Sequence, residues 1–266
     1  MSIKESAKAI KSSARRLLDE CSLKDPPLDI DTIYDHLELE RYGQFFTENC
    51  NWKNQKLTHN IRAILDVNEK IVIVNYNAHE KQQHFASVHE VGHFILPWQK
   101  ELLYFCSVWD LNEKTRKLFE QEANLFAAEA LFYSELFTLE STDLPFGVHS
   151  IITLAERYNV SLESAARRYV EKSPISCALL VSDPVRNNAQ SLLDPPSTKL
   201  LYYFKSETFT LSFQTPQIFP PGHVISKTCS KLGDISYGEL NVAGIILNRE
   251  SVFTKYKVLS LVSKKV

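Results

Sequence analysis

The stretch Val88–Leu96, V-H-E-V-G-H-F-I-L, decides how the chain is organised. On an α-helix, residues i and i+4 lie one above the other, so His89 and His93 would direct two imidazoles at one point. Two neutral imidazoles that converge in this way are typical ligands of a divalent metal. Glu90, one step further around the helix, would reach a water beside the metal without joining the ligands. The stretch therefore predicts a helical metal site of the H-E-x-x-H type.

The residues that flank this stretch also favour a helix. Asn77 and Glu80 have the spacing of a capping box, in which Asn77 would bond a free N–H of the first turn. Apolar residues and one glycine then recur every three or four positions, and Pro97 would end the helix. These positions are Phe85, Val88, Gly92, Ile95 and Leu96.

A second long helix is predicted from about Asn112 to Phe137. The segment is rich in Leu, Ala, Glu and Phe, and Asp110 or Asn112 would cap its first turn. A catalytic zinc site needs a third protein ligand and a fourth position that is open to water. We therefore expect this helix to supply the third ligand.

Glu120 is the predicted third ligand, on a helix face that it shares with Asn124 and small residues. From one turn further along, Asn124 would accept the ring N–H of a ligand histidine and fix its tautomer. Glu122 is the competing ligand, but helical geometry directs it about 160° away from Glu120.

Together these residues resemble a known family, the ImmA/IrrE-type zinc metallopeptidases. The family combines H-E-x-G-H with a downstream motif, E-x-E-A-(N/D)-x-F-A-A-E. In this chain, Glu120–Glu129 is similar to that motif over its whole length, without a gap. The resemblance covers about residues 29–172. The chain departs from the family at Pro97–Trp98, where another His is common, and at Phe132–Tyr133, where Met-Pro is common. Neither position is a family metal ligand.

The resemblance implies a zinc-dependent endopeptidase that cleaves a helix-turn-helix transcriptional repressor and so controls stress-response or mobile-element genes. His89, His93 and Glu120 would then hold Zn²⁺, with Mn²⁺ and Fe²⁺ as alternative metals, and Glu90 would be the general base. The strand Ile71–Val74 would bind the substrate backbone in extended form.

Two other functions stay open. Residues 149–172 predict a helix-turn-helix-like pair that carries Arg157, Arg167, Arg168 and Lys172. The chain could therefore be a non-proteolytic regulatory protein that binds DNA or a repressor and keeps the metal as structure. It could also be a general housekeeping peptidase, which would cleave unrelated unfolded proteins such as casein.

The predicted fold class is α+β, with two domains. Residues 1–173 would form a mainly helical, zincin-like peptidase domain with a small β-sheet and the helix-turn-helix-like pair. Residues 174–266 would form a β-rich domain, a possible sensor or partner-binding module. Its predicted strands are Ser176–Val181, Leu200–Lys205, Phe209–Phe213, His223–Ser226, Val242–Leu247 and Tyr256–Val262.

The composition excludes several function classes. The chain has 266 residues, and a formal net charge of −2 gives no general attraction to nucleic acid. Five scattered cysteines predict reduced intracellular thiols. The sequence has no apolar run of about 18 residues and no apolar leader, so we expect neither a membrane span nor export, and a cytoplasmic location.

Overall fold

A computed structural model of the chain shows an α+β protein with helices mainly in its first part and a large sheet in its last part. The contacts divide it into two compact units: residues 1–137 with 156–161, and residues 138–155 with 162–266. The boundary predicted after residue 173 marks the change from helices to strands. The structure describes residues 3–44, 51–52, 55–56, 61–105, 111–185 and 196–264.

The helices and strands have the following bounds. The helices are α1 Ile3–Glu20, α2 Ile30–Leu37, α3 Glu80–Ile95, α4 Pro97–Phe105, α5 Glu113–Leu131, α6 Glu135–Asp143, α7 Val148–Arg157, α8 Leu162–Lys172 and α9 Val224–Lys227. The strands are β1 Glu40–Gln44, β2 Asn51–Trp52, β3 Gln55–Lys56, β4 Ala63–Asp66, β5 Ile71–Asn75, β6 Cys177–Val185, β7 Ser197–Lys205, β8 Gln217–Phe219, β9 Ile235–Val242, β10 Ile245–Thr254 and β11 Lys257–Lys264.

A three-stranded sheet precedes the H-E-x-x-H helix, in the order β1-β5-β4. The predicted hairpin is present: β4 and β5 pair antiparallel, and the Asp66 carboxylate accepts the N–H groups of Asn68 and Glu69 in the turn. β1 adds a parallel partner on the other side of β5. The prediction that Ile71–Val74 binds substrate backbone is wrong, because β5 is the central strand and both of its edges are paired. Within the described residues, the edge strands of this sheet are β1 and β4.

The start of α3 differs from the prediction. Its N-cap is His79, whose ring nitrogen accepts the N–H of Lys81, and not Asn77. The reason is the buried Asn75, whose side chain donates to Ile61 O at 2.7 Å and accepts the Asn77 N–H at 2.9 Å. These bonds keep Asn77 in the turn after β5. The predicted end is confirmed, since α3 stops at Ile95 before Pro97.

The second long helix is shorter than predicted. Asn112 caps α5 through the Thr115 N–H, whereas Asp110 lies outside the described residues. α5 ends at Leu131, and two residues with positive φ then turn the chain into α6. The turn lets Phe132 and Phe137 pack edge-on, with ring centroids 4.9 Å apart. Aromatic packing therefore interrupts a segment whose composition favours one continuous helix.

The six-stranded sheet has the order β8-β7-β6-β11-β10-β9 and is antiparallel throughout. Three strand predictions in this part are wrong. His223–Ser226 falls at α9, because the His223 ring accepts the Ile225 N–H and caps a helical turn. Phe209–Phe213 forms no strand. Val242–Leu247 contains a hairpin turn at Ala243–Gly244, where both residues have positive φ.

No helix within the described ranges is both long enough and apolar enough to cross a membrane. Cys21 and Cys177 carry free thiols.

Candidate metal centre

Three predicted ligands meet where α3 packs against α5. The Nε2 atoms of His89 and His93 are 3.1 Å apart. A carboxylate oxygen of Glu120 lies 3.3 Å from His89 Nε2, and the other lies 3.7 Å from His93 Nε2. One ligand atom of each residue therefore lies within 4.8 Å of the others, which makes the group able to hold a metal ion.

Gly92 allows the two helices to approach this closely. A Cβ at this position would lie 3.1 Å from Phe126 Cδ1 and 3.3 Å from both Cα and O of Ala123. The last two atoms belong to the backbone of α5, so they could yield only if the helix moved. The glycine of H-E-V-G-H thus brings the Glu120 helix within reach of the histidines.

Amide side chains orient both imidazoles. Nδ1 of His89 donates to Asn124 Oδ1 at 3.1 Å, as the prediction for Asn124 requires. Nδ1 of His93 donates to Gln99 Oε1 at 2.7 Å. With the proton of each ring on Nδ1, both Nε2 atoms present a lone pair to Glu120. The arrangement matches that of metal-binding histidines.

A buried polar relay behind His93 was not predicted. Gln99 lies on α4, is 0% exposed, and donates from Nε2 to the Glu122 carboxylate at 2.7 Å. Trp98 donates its indole N–H to the same carboxylate oxygen at 2.8 Å. Glu122 therefore fixes the amide that orients His93. The signal available in the sequence was the second acidic residue of E-x-E, which helical geometry had set aside as a ligand.

The ionisable groups of the site shift one another's pKa. Burial and the neighbouring His89 lower the pKa of His93 to about 4. Burial also acts to lower the pKa of His89, but the Glu120 carboxylate and Glu90 outweigh it and the net shift is upward. Burial acts to raise the pKa of Glu120, but the hydrogen bond and charge of His89 outweigh it and the net shift is downward. The site therefore favours a neutral His93 beside an ionised Glu120.

Glu90, which is not one of the three ligands, has a pKa near neutral pH. Burial raises its pKa to about 7, with a further upward contribution from Glu120 and a downward one from His89. Its charge also raises the pKa of the buried Tyr34, for which burial is the main cause. Near neutral pH, Glu90 can therefore both accept and release a proton.

The donor set fits a divalent metal. Two ring nitrogens and a carboxylate converge here, and their lone pairs repel one another unless a proton or a metal cation lies among them. Nitrogen and oxygen ligands of this kind suit zinc, and also Mn²⁺ or Fe²⁺. The side chain of Glu120 is 45% exposed, so solvent reaches this side of the ligand cluster.

These features define an α+β protein with a zincin-like pair of helices. Residues 40–169 match the family model Peptidase_M78, described as the IrrE N-terminal-like domain. This part of the chain is therefore similar to that family, and the match confirms the resemblance found in the sequence.

Other comparisons add information on the fold. A solved structure described as a Mycobacterium tuberculosis transcriptional regulator is similar, with a TM-score of 0.62 and 15% sequence identity. The similarity covers 97% of this chain and 76% of that one. No curated protein matches the sequence significantly.

Proposed function

We propose that the chain is a metal-dependent endopeptidase in which His89, His93 and Glu120 hold the metal and Glu90 is the general base. The observation that carries the proposal is the convergence of three ligand atoms within 4.8 Å, with the partly buried Glu90 next to His89 on the same helix. The match of residues 40–169 to a peptidase family model supports it.

The arrangement favours a catalytic metal over a structural one. Structural zinc is usually enclosed by four protein ligands, whereas catalytic zinc has three and keeps one position for water or substrate. Within the described ranges the cluster consists of three residues, and Glu120 is about half exposed. A closed structural site would not explain why a fourth protein ligand is missing from the cluster or why Glu120 is exposed.

The residues of the chain would divide the work as follows. A bound divalent metal supplies Lewis-acid polarisation of a carbonyl and lowers the pKa of water. Glu90 takes a proton from the attacking water and later releases it to the leaving amine, for which a pKa of about 7 is well suited. Asn124 and Gln99 hold the two imidazoles so that neither ring has to reorient during the reaction.

We propose a helix-turn-helix repressor as the substrate and the cytoplasm as the place of action. The family resemblance supports this assignment, and the similar fold of a protein described as a transcriptional regulator is consistent with a regulatory role. Of the two edge strands of the small sheet in the described residues, β4 contacts the metal-binding helix α3, so it is the strand to which an extended substrate segment would add.

The arginines of the helix-turn-helix-like pair favour packing over DNA binding. Arg168 is only 8% exposed. Arg167 forms an ion pair with Glu171 at 2.9 Å and lies over the Phe204 ring at 4.6 Å. Glu163, on the same helix, accepts hydrogen bonds from Tyr202 and Lys257 of the sheet. These contacts attach α8 to β7 and β11 and leave little charge for phosphates.

The test of catalysis is the Glu90→Gln variant. We expect it to retain metal, measured by elemental analysis, and to lose cleavage of the co-incubated repressor. Glu80→Gln, an exposed glutamate on the same helix, is the matched control and should retain both. His89→Ala and Glu120→Ala should lose the metal. Unchanged turnover in Glu90→Gln would contradict the proposal.

The two alternative functions make different predictions. A non-proteolytic DNA-binding regulator would shift genomic DNA fragments selectively in a gel even as the Glu90→Gln protein. A housekeeping peptidase would cleave casein at a rate similar to that for a repressor. The proposed function requires cleavage of the repressor, no selective DNA shift and little cleavage of casein.

A further inference from the structure

Arg249 is a buried cation in the six-stranded sheet. It lies on β10, is 4% exposed, and shares a sheet face with Ser251. Its Nη1 donates to the Ser236 carbonyl at 3.3 Å and to Ser251 Oγ at 2.7 Å. Its Nη2 donates to Ser236 Oγ at 3.2 Å. All three acceptors are neutral.

Among the described residues, no carboxylate forms an ion pair with Arg249. The adjacent Glu250 points to the opposite face of the strand, where its carboxylate accepts the Val148 N–H at 2.7 Å. A buried guanidinium without an opposite charge costs several kcal/mol of desolvation that neutral hydroxyls offset only in part. Within the described part of the chain, the charge of Arg249 is therefore not balanced by an anion.

One edge of the guanidinium has N–H groups without an acceptor in the described part of the chain. Arginine has five N–H groups, and Nη1 uses both of its own while Nη2 uses one. Nε has no hydrogen-bond partner within the described part of the chain. The remaining donors, on Nε and Nη2, lie side by side. This is the pair that binds two oxygens of a carboxylate or phosphate at once.

Gly238 lies close to this edge. It is paired with Arg249 in the register of β9 and β10, and β9 is an edge strand of the sheet. A Cβ at Gly238 would lie 3.1 Å from Arg249 Nη2, so any side chain would cover the guanidinium. The residue is exposed. Nη2 therefore lies beneath an exposed backbone position that has no side chain to cover it.

His223 lies close to Arg249 and adds no negative charge to its surroundings. Burial lowers its pKa, and the charge of Arg249 lowers it further, so the two groups are close enough to interact. A neutral His223 offers a ring N–H and no negative charge. His223 therefore does not neutralise the charge of Arg249.

We propose that Arg249, with Ser236 and Ser251 fixing its Nη atoms, is the binding site for an oxyanion that enters at Gly238. The ligand class is a small molecule with a carboxylate or phosphate group, bound by the Nε–Nη2 edge. The site lies in the sheet unit and is independent of the proposed peptidase chemistry.

Thermal unfolding of the full chain tests the proposal. Inorganic phosphate and acetate are titrated separately against sodium chloride at the same ionic strength. We expect at least one oxyanion to raise the Tm by about 2–4 °C near saturation. Arg249→Met should abolish this rise, whereas Arg167→Met, an arginine on α8, should retain it. The stronger of the two anions identifies the ligand group. A rise of equal size in chloride, or in Arg249→Met, would overturn the proposal.

An NMR titration covers the case in which Arg249→Met does not fold. In ¹⁵N-arginine-labelled wild-type protein, an arginine Nε–H resonance should shift on addition of phosphate or acetate and saturate. That resonance should be the one missing from an Arg249→Lys spectrum. If no arginine Nε–H resonance moves with either anion, Arg249 is not an oxyanion site.

Discussion

At the scale of single residues, the amide side chains that orient the two histidines of the metal centre differ in their exposure to water. Asn124, which orients His89, is exposed, so water can replace its amide oxygen. Gln99, which orients His93, is buried and is itself held by Glu122. A buried polar network has no access to water when one member is removed, so each lost bond leaves an unpaired group. We therefore expect the His93 side to be the more sensitive.

Gln99→Leu tests this difference. The variant leaves His93 Nδ1–H without an acceptor and removes a donor from Glu122, so metal affinity should fall about 10–100-fold. The free energy of unfolding should fall by about 1–3 kcal/mol. Competition with a fluorescent chelator and urea denaturation measure the two effects. Asn124→Leu should weaken metal binding with a smaller loss of stability, and Gln82→Leu, exposed on α3, should change neither. Wild-type metal affinity in Gln99→Leu would contradict the relay.

His84 should make the stability depend on pH. Its ring donates to the Leu28 carbonyl at 3.1 Å, and burial lowers its pKa below the ordinary value of about 6.5. Below pH 6.5 the unfolded chain binds a proton that the folded chain does not, so stability decreases as the pH falls. His84→Gln keeps a donor for Leu28 and should reduce this decrease. Urea denaturation at pH 7.5, 6.5 and 5.5 measures the free energy of unfolding of both proteins. An equal decrease in the wild type and in His84→Gln would contradict the assignment.

At the scale of secondary-structure elements, the distance between α3 and α5 sets the position of Glu120. Gly92→Ala would gain about 1 kcal/mol of helix propensity. The new Cβ would lie 3.1–3.3 Å from Phe126 and the Ala123 backbone, and such overpacking costs about 1–3 kcal/mol. We expect a net loss of stability and weaker metal binding, because α5 must move with its ligand.

The control for Gly92→Ala is Gln82→Ala, on the exposed face of α3. It should leave both the urea midpoint and the metal affinity unchanged. If Gly92→Ala binds metal as tightly as the wild type, the helix distance does not limit the site.

At the scale of the whole molecule, the chain consists of two compact units, and the metal centre lies in one of them. A ligand stabilises the state that binds it by mass action. Removal of the metal with a chelator should therefore speed hydrogen exchange at the amides of α3 and α5, and leave that of β6 and β11 nearly unchanged. Mass spectrometry with and without chelator measures both. The same experiment on Glu120→Ala should show no response to the chelator, and equal changes in both units would contradict the prediction.

The sequence alone determined the elements whose signal is local. The i, i+4 spacing of His89 and His93 on an amphipathic helix, the Pro97 stop and the carboxylate–amide spacing of Glu120 and Asn124 need only helical periodicity. The α+β class and the hairpin before α3 follow from composition and turn residues in the same way. These features were predictable because neighbours in the chain are also neighbours in space.

Only the tertiary structure decided which polar groups meet across elements. Gln99 and Glu122 come from different helices, and no periodicity relates them to His93. Long-range bonds also moved the α3 cap from Asn77 to His79, through Asn75. Gly238 leaves the Nε–Nη2 edge of Arg249 without a covering side chain, and only the register of the β9–β10 hairpin places Gly238 opposite Arg249. Packing and pairing free energies between distant segments outweigh local propensity at these places, so the local sequence could not determine them.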